Sequence, residues 1–247
     1  MKVAIQQPHV WPWLGYLNKL AKVDKFVFMD SVQMEKGSYM YRNRVLNHRG
    51  EIVYLTISGN KHGFLDKEYR EIHTKEEKVW KEKQLTVLYN AYGSSPYYKE
   101  VAERIFPFYE FEADTICAYA LESTRILSEV FEINTQWILL SSLKCSDEAR
   151  KNDLVLEICR QVGATDYLSG NGARKYMNLP SFKQSGIHVA FQQFSHPVYK
   201  QFSTSEFVPG LSALDMLFCC GIEKSKKMFW QEVYAKNEFS TIETLSE

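Results

Sequence analysis

The sequence predicts a Rossmann-like α/β fold, in which a mostly parallel sheet is flanked by helices. A strand, a helix and a second strand follow one another within the first 30 residues, as in a right-handed βαβ unit. Further strand-like and helix-like segments alternate along the chain, with no internal repeat or low-complexity linker between them. We therefore expect one α/β domain over 1–247, with a helical insertion or lid at 72–135.

The order of the elements follows from the spacing of apolar side chains. Residues 2–6 are a short apolar run, and the next helix carries a stripe that includes Trp13, Leu17 and Leu20. Short apolar or alternating runs predict strands at 2–6, 25–30, 51–58, 137–143, 166–170 and 188–194. Helical spacing predicts helices at 13–23, 75–92, 97–106, 114–131, 148–162 and 211–220.

Proline, serine and glycine residues set several of the predicted helix boundaries. Pro107 stops the helix before it, because proline has no backbone N–H to continue the hydrogen-bond ladder. Ser146 is the expected N-cap of the helix at 148–162, and Gly163 ends that helix.

Composition narrows the function classes. Thirty Lys and Arg balance thirty Asp and Glu, and the isoelectric point is about 7.0. A constitutive DNA-binding protein would carry an excess of basic residues, so we expect no DNA partner. A local basic cleft is compatible with this balance.

Cysteine usage and the terminus predict a cytoplasmic protein. The five cysteines are odd in number and form no C-x-x-C pair, and neither they nor the six histidines cluster at ligand spacing. We expect free thiols and no structural metal. The chain opens without a signal-peptide pattern, and no apolar run approaches the roughly 18 residues that span a bilayer.

The densest concentration of functional residue types lies at 6–16, between the first strand and the first helix. In an open parallel sheet, ligands bind at this edge and a helix N-terminus attracts anions. The segment offers hydrogen-bonding groups, aromatic faces and a small residue that permits close approach: Gln6, Gln7, His9, Trp11, Trp13, Gly15 and Tyr16. The alternative interpretation is that the tryptophans belong to the core and the polar groups satisfy the turn.

Two later segments add polar groups to the same predicted rim. Asp30 and Gln33 follow the second strand, and alternation places Arg42 and Arg44, on either side of Asn43, on one face. Arginine pairs bind phosphate well, although such charges are most often solvated surface groups. Ser169 and Gly170 open a G-x-G turn that is followed by Arg174, a pattern that tight turns also require.

Asp215 stands among apolar residues near the start of the last predicted helix. Ser212 is predicted to cap this helix, which is a structural role, whereas a buried carboxylate at Asp215 needs a partner. No G-x-S-x-G, H-E-x-x-H, Walker A or G-x-G-x-x-G motif occurs, and His62, His73, His188 and His196 are isolated in the sequence.

Taken together, these segments resemble the WbqC-like family. The resemblance rests on residues 6–16, on Asp30 with Val32 and Gln33, on 42–44, on 167–172 and on 211–221, so it spans nearly the whole chain. The departures are small, with Val10 where Tyr is usual and Cys220 where Asn often precedes the glycine. The family occurs in bacterial gene clusters for O-antigen and other surface polysaccharides, and most members have no assigned activity.

The resemblance implies a role in making or decorating a nucleotide-linked amino sugar. Our preferred hypothesis is a transferase that acylates or aminoacylates the amino group of that sugar. The donor could be CoA, a carrier protein or a charged tRNA, and no cofactor is identified. In this hypothesis His9 is the general base, because histidine titrates near neutrality, and Asp30 or Asp215 orients it. Gln6 and Gln33 bind hydroxyls, Arg42, Arg44 and Arg174 hold diphosphate, and Trp11, Trp13 or Tyr16 stacks on the base. The other predicted substrate contacts are Gln7, Gly15, Asn43, Ser169 and Gly170.

Two alternatives remain open at this stage. A strand, a proline-marked loop and a helix that opens with x-x-Gly-x also resemble the adenylyltransferase-like nucleotide-binding fold, which implies nucleotidyl transfer or ATP-dependent activation. Residues 13–16 lack both histidines of the H-x-G-H stretch found there. The second alternative is a non-catalytic nucleotide-sugar-binding protein. The sequence also leaves open a homodimer.

Overall fold

A computed structural model describes residues 1–60, 66–146, 148–175 and 177–239. Its strands, in chain order, are β1 (Lys2–Gln6), β2 (Lys25–Phe28), β3 (Arg42–Leu46), β4 (Ile52–Thr56), β5 (Gln136–Leu139), β6 (Asp166–Ser169) and β7 (His188–Phe191). Its helices of four or more residues are α1 (Leu14–Ala21), α2 (Glu77–Tyr92), α3 (Tyr98–Ile105), α4 (Pro107–Glu110), α5 (Ile116–Phe131), α6 (Lys151–Gln161), α7 (Leu179–Gln184), α8 (Ala213–Cys220) and α9 (Ile222–Ala235).

Five of the strands form one parallel sheet in the order β5-β2-β1-β6-β7. Ala4 of β1 pairs with Phe26 on one side and Leu168 on the other, which places β1 at the centre. The chain winds outward from β1 to β5 and then crosses back to add β6 and β7. The α/β prediction is confirmed, and this topology has its switch point between β1 and β6.

Side-chain alternation along the strands buries both faces of the sheet. Ala4, Phe26 and Leu168 belong to one buried cluster, together with residues of α1, α5, α8 and α9. Val3 and Val27 belong to a second cluster, with residues of α6 and α7. Crossover helices cover both faces of a parallel sheet. The central strands therefore have apolar side chains on both faces, and their sequences are short apolar runs.

The strand predicted at 51–58 lies outside this sheet. β3 and β4 form a separate antiparallel ribbon, in which Arg42 pairs with Thr56 and Leu46 with Ile52. Between them, Asn47 Oδ1 accepts hydrogen bonds from the backbone N–H groups of Arg49 and Glu51. This short turn can join only antiparallel strands, since a parallel pair needs a long crossover.

The predicted insertion at 72–135 contains α2 to α5. These helices pack on one another and on α8, α9 and β4, on the face of the sheet that α1 covers. Thr115 caps α5 by accepting a hydrogen bond from the Ala118 N–H. The segment therefore extends the main core, since its side chains share one buried cluster with those of α1.

Several helix boundaries differ from the sequence prediction. α6 begins at Lys151, three residues after the predicted start, and the Ser146 hydroxyl accepts from the Glu148 N–H in a turn before it. The Ser212 cap of α8 is confirmed, since its hydroxyl accepts from the Leu214 N–H. α7 and α9 were not predicted; α7 has only six residues, too few for a periodic signal. Across the described ranges, no helix combines the length and apolar character that a membrane crossing needs.

Candidate functional site

The carboxyl ends of β1 and β6 lie side by side at the switch point. β1 ends at Gln6 and β6 at Ser169, and a cleft opens on each side of this junction. Gln6 and Gly170 line both clefts. Open α/β sheets bind ligands outside the carboxyl ends of the strands at this kind of crevice, so the junction is the candidate site.

The larger space, which we call the cationic cleft, has a volume of about 1250 Å³. Its charged lining residues are Lys19, Arg150, Lys151 and Asp153, so cations outnumber carboxylates among the described lining residues. Gln7, Ser169 and Gly172 also line it. The N-terminus of α6 begins in its wall at Lys151, and free N–H groups at such an end favour anions.

Lys19 is the buried charge of the cationic cleft. Only 4% of the residue is exposed, and its ammonium donates to Ile5 O and to Gln6 Oε1, both at 3.1 Å. Burial lowers the pKa of Lys19 to about 8. In the part of the chain that the structure describes, no carboxylate forms an ion pair with Lys19. A buried ammonium held by neutral oxygens can accept an anion as a further partner.

Lys19 was not among the residues predicted to form the site. The signal for Lys19 appears only in the structure, where every residue from Leu14 to Leu20 in α1 is buried and Lys19 is the one cation among them. A lysine inside a wholly buried helix is a costly placement, and such placements often mark function.

Gly170 and Gly172 leave space in the cationic cleft that a side chain could occupy. A Cβ built on either residue meets no atom within 4 Å, and neither residue has a positive φ. The fold therefore does not require glycine at these positions for conformation or for packing. The open backbone there permits close approach of a ligand, as the predicted G-x-G turn suggested. Ser169, beside them, is buried.

The smaller space, which we call the aromatic cleft, has a volume of about 450 Å³. Its lining includes four rings, those of Trp13, Tyr16, Phe194 and His196, and three amides, those of Gln6, Asn171 and Gln192. The described residues of its wall include no Asp, Glu, Lys or Arg. The two clefts thus differ in chemistry although they share an edge.

Local packing sets the positions of the rings in the aromatic cleft. A Cβ at Gly15 would clash with the indole of Trp13, so glycine lets that ring lie across the first turn of α1. The indole meets Phe194 edge-on at 5.5 Å. The Tyr16 hydroxyl donates to Gln7 O at 3.1 Å, and burial raises the pKa of Tyr16. Five residues predicted from the first loop therefore line one or both clefts: Gln6, Gln7, Trp13, Gly15 and Tyr16.

His9 and Trp11 of the same loop are absent from the described lining of both clefts. The His9 ring is 4.6 Å from that of Tyr16 and 5.4 Å from that of Tyr39, and only 7% of the residue is exposed. Burial and the Lys19 charge lower the pKa of His9 to about 3. Such a weak base argues against the predicted general-base role. Trp11 is wholly buried, 4.5 Å from the Phe108 ring, so its faces are not offered to a ligand.

The two predicted carboxylates are both occupied by structural contacts. Asp30 accepts from the Ser141 N–H at 2.9 Å and from the Ser141 hydroxyl at 2.5 Å, which joins the ends of β2 and β5. Asp215 accepts from the hydroxyls of Tyr92 and Tyr199 and from Gln201 Nε2, at 2.7 to 2.9 Å. Burial raises the pKa of Asp215. Neither carboxylate contacts His9, so the predicted orienting role lacks support among the described contacts.

The predicted arginines do not converge. Arg42 lies over the Tyr54 ring at 4.4 Å, and Arg44 donates to Gly210 O at 2.8 Å. Arg174 lies over the Phe191 ring at 4.6 Å. The three guanidinium groups thus have different partners. Arg42 and Arg44 belong to the β3–β4 ribbon, whereas Arg174 follows β6 of the parallel sheet.

Asn43 and Gln33 are absent from the described lining of the two clefts, although the depression that Gln33 lines shares Arg150 and Lys151 with the cationic cleft. Asn43 is buried, and its Nδ2 donates to Val10 O at 3.1 Å and to Trp11 O at 2.8 Å. It holds the backbone of the first loop in place. Gln33 is exposed and lines a third depression, together with Lys67 and Arg70.

His196 lies in the aromatic cleft although the sequence analysis treated it as isolated. It is half-buried, with ring centroids 5.7 Å from Phe194 and 5.2 Å from Phe207. Its Nδ1 is 3.0 Å from Pro197 O. A carbonyl only accepts hydrogen bonds, so Nδ1 carries the proton of the neutral ring and Nε2 is left as the acceptor. Burial lowers the pKa of His196, which favours this neutral form.

The helices at 72–135 supply none of the described residues that line the two clefts. They contact the first loop from behind instead, since the hydroxyls of Ser123 and Thr124 donate to His9 O. In this conformation the helices at 72–135 support the backbone of the first loop. The predicted lid role stays a prediction.

Comparison with known proteins identifies the chain's relatives. The family model described as "WbqC-like protein family" matches residues 7–227. An uncharacterized protein of Mycobacterium tuberculosis, Rv1507c, is 29% identical over 227 residues, which cover 90% of this chain and 95% of that protein. No solved structure matches the chain significantly.

Proposed function

The chain belongs to the WbqC-like protein family, and we propose that it is a transferase acting on a nucleotide-linked amino sugar. The reaction we propose is acyl or aminoacyl transfer to the sugar amine, in the biosynthesis of O-antigen or another bacterial surface polysaccharide. The switch-point junction is its site. The diphosphate of the substrate would lie in the cationic cleft.

The observation that carries this proposal is the pairing of Lys19 with the open backbone at Gly170 and Gly172. The ammonium is buried, has neutral oxygens as partners, and lines the same cleft as the two glycines. A diphosphate would add negative charge beside Lys19 and would bring oxygens within reach of backbone N–H groups at the start of α6. Burial strengthens such a pairing because the local dielectric constant is low.

Ligand-dependent stabilisation is the first test. A ligand present at 100 times its Kd raises the free energy of unfolding by about 2.7 kcal/mol. For a chain of this size that corresponds to a rise in Tm of about 5–10 °C. The panel would contain nucleoside diphosphates, nucleotide-linked sugars with and without a free amine, CoA and nucleoside triphosphates. We expect nucleoside diphosphates and their sugar conjugates to raise Tm.

Lys19→Met tests the proposed cleft, and Lys25→Met is its matched control. Lys25 is also partly buried and donates to a backbone carbonyl, that of Val162 at 3.2 Å, but it lies at the opposite end of the sheet. We expect Lys19→Met to weaken nucleotide binding at least tenfold by calorimetry and Lys25→Met to leave it unchanged. Equal affinity in both variants would refute the placement of the phosphates.

Turnover separates the transferase from its rivals. The purified protein would be incubated with a nucleotide-linked amino sugar and with acyl-CoA, acyl carrier protein or charged tRNA in turn. Mass spectrometry would then detect the added acyl or aminoacyl group. Pyrophosphate release from a nucleoside triphosphate would instead favour nucleotidyl transfer, and binding without product would favour a non-catalytic nucleotide-sugar-binding protein.

A further inference from the structure

We infer that the aromatic cleft is the sugar subsite and that His196 Nε2 takes the proton from the attacking amine. This inference rests on the proposed function and deepens it. One ligand would thus occupy both clefts, with its charged diphosphate in the cationic cleft and its sugar in the aromatic cleft.

The contrast in lining between the clefts is the first support. An amino-pyranose in its reactive free-amine form is neutral and presents both hydroxyl groups and C–H faces. Amides suit the hydroxyls, and aromatic rings suit the C–H faces. The aromatic cleft offers both kinds of group and, among its described residues, no formal charge, whereas the cationic cleft suits phosphate.

The amides of the aromatic cleft are already oriented. Gln192 Nε2 donates to Gly15 O at 2.7 Å and to Asn18 Oδ1 at 2.9 Å. Gln6 Oε1 accepts from Lys19 at 3.1 Å. These bonds fix the planes of the two amides, so the other polar atom of each, Gln192 Oε1 and Gln6 Nε2, can bind a sugar hydroxyl. Pre-oriented groups lose less entropy when a ligand binds.

The junction between the clefts allows one ligand to extend into both. Gly170 lines both spaces, and a Cβ there meets no atom within 4 Å. The backbone at the end of β6 is therefore uncovered at the point where the ligand would cross. Gln6 lies on the opposite side of the same junction, at the end of β1.

His196 is held with one acceptor nitrogen available. The Pro197 carbonyl occupies Nδ1, and the rings of Phe194 and Phe207 limit rotation of the imidazole. Tyr199 also lies near the ring, with centroids 6.3 Å apart, and its hydroxyl donates to Asp215. Asp215 is thus a positioning residue for this loop, and its negative charge raises the pKa of His196 in opposition to burial.

The proposed step is acyl transfer to the sugar amine with His196 as the proton acceptor. The neutral sugar amine attacks the carbonyl carbon of an acyl thioester or ester, and a C–N bond forms. The N–H proton passes to His196 Nε2. The C–S or C–O bond then breaks, and the leaving thiolate or alkoxide takes the proton back from the imidazolium. An amide and a free thiol or alcohol result, and the imidazole returns to its neutral form.

Nuclear magnetic resonance with a small probe tests the subsite without any donor. D-glucosamine at millimolar concentration should shift the indole N–H signal of Trp13, assigned with Trp13→Phe, and the ring C–H signals of His196. The indole of Trp230, which donates to Phe131 O at 2.8 Å, should not respond and serves as an internal control. If glucosamine leaves the Trp13 and His196 signals unchanged, the aromatic cleft is not the sugar subsite, whether or not nucleotides bind.

The proton acceptor is tested by His196→Gln, with His188→Gln as control. His188 is an exposed histidine beside Asp166 at the other end of the sheet. General-base catalysis contributes about 100-fold to 10,000-fold, so His196→Gln should lower the transfer rate at least 100-fold. The variant should keep nucleoside diphosphate binding within twofold of wild type. Its pH–rate profile should lose the contribution of His196 to the acidic limb and keep only the part set by protonation of the sugar amine.

Each outcome of the transfer assay decides the assignment. Wild-type transfer by His196→Gln, or an unchanged pH profile, would overturn the role of His196 while the proposed function stands. If the wild-type protein transfers no group from any donor, the proposed function fails and the role of His196 falls with it. The glucosamine titration still decides the sugar subsite in that case.

Discussion

The segment after β1 and the segment after β6 meet at the same edge of the sheet, yet they use their residues in opposite ways. After β1, Trp11 is buried in the core and the His9 ring packs against Tyr16. After β6, Gly170 and Gly172 adjoin empty space. Packing takes up His9 and Trp11 of the first segment, although its other predicted residues line the clefts, whereas the second segment leaves its backbone open.

This difference shows what a costly residue type signals. Tryptophan and histidine in a short loop indicate strong constraint, but tight packing constrains a sequence as firmly as catalysis does. A glycine whose conformation and neighbours would accept a side chain is a more specific signal of ligand space. Measuring stability and ligand binding in the same variants separates constraint by packing from constraint by a ligand.

The largest expected effect is on the stability of the segment after β1. Trp11→Ala would remove a wholly buried indole that packs on Phe108 and would leave a cavity. Such truncations cost about 3–5 kcal/mol of unfolding free energy. Urea unfolding monitored by circular dichroism would measure the loss. If the folded variant lost nucleotide binding but kept wild-type stability, Trp11 would be a ligand contact and the contrast between the segments would disappear.

A smaller loss is expected when the loop loses its anchor. Asn43→Ala would remove the donor to the carbonyls of Val10 and Trp11 and leave both oxygens buried. Unsatisfied buried groups cost about 1–3 kcal/mol each, and relaxation should keep the total near 2–3 kcal/mol. The same urea measurement would detect it, with Gln33→Ala, an exposed amide, as control. An effect on binding alone, with stability unchanged, would contradict the anchoring role.

The pH dependence of stability sharpens the description of His9. Its folded pKa of about 3 is below the ordinary value, so in acid the unfolded chain binds a proton that the folded chain does not. The stabilisation is complete above pH 6.5 and is lost as the pH falls toward 3, by up to about 1.4 kcal/mol per pH unit. Unfolding of wild type and His9→Gln at several pH values should show the variant losing less. Parallel curves would mean that His9 is solvated in the folded state.

The sequence predicted the layers of this fold more fully than its site. Apolar runs at 2–6 and 25–30 predicted adjacent parallel strands, because each pattern is local and both sheet faces are buried. The strand near 54 was assigned without its partner, since pairing depends on a turn whose geometry is set by side-chain bonds of Asn47. The order of helices and strands follows from local sequence patterns, whereas the pairing of strands depends on tertiary structure.

Site assignment was limited for the same reason. Gln6, Trp13 and Gly170 could be placed at the sheet edge because strand ends locate them. His196 and Lys19 could not, because the loop after β7 and the buried side of α1 reach the edge only through tertiary packing. Residue type alone also could not separate His9, which is enclosed, from His196, which is half-buried in a cleft.

The smallest expected effect on stability is also the most informative, because it concerns the open segment after β6. Gly170→Ala adds a methyl group where no atom lies within 4 Å and where φ is not positive, so unfolding free energy should change by less than about 0.5 kcal/mol. The same methyl group would occupy the junction of both clefts, and we expect nucleoside diphosphate affinity to fall about tenfold. Gly15→Ala is the matched control, since its methyl group would displace the Trp13 indole and destabilise the fold. If Gly170→Ala binds like wild type in calorimetry while remaining equally stable, the open backbone after β6 is not ligand space. The contrast with the packed His9 and Trp11 after β1 then has no functional meaning.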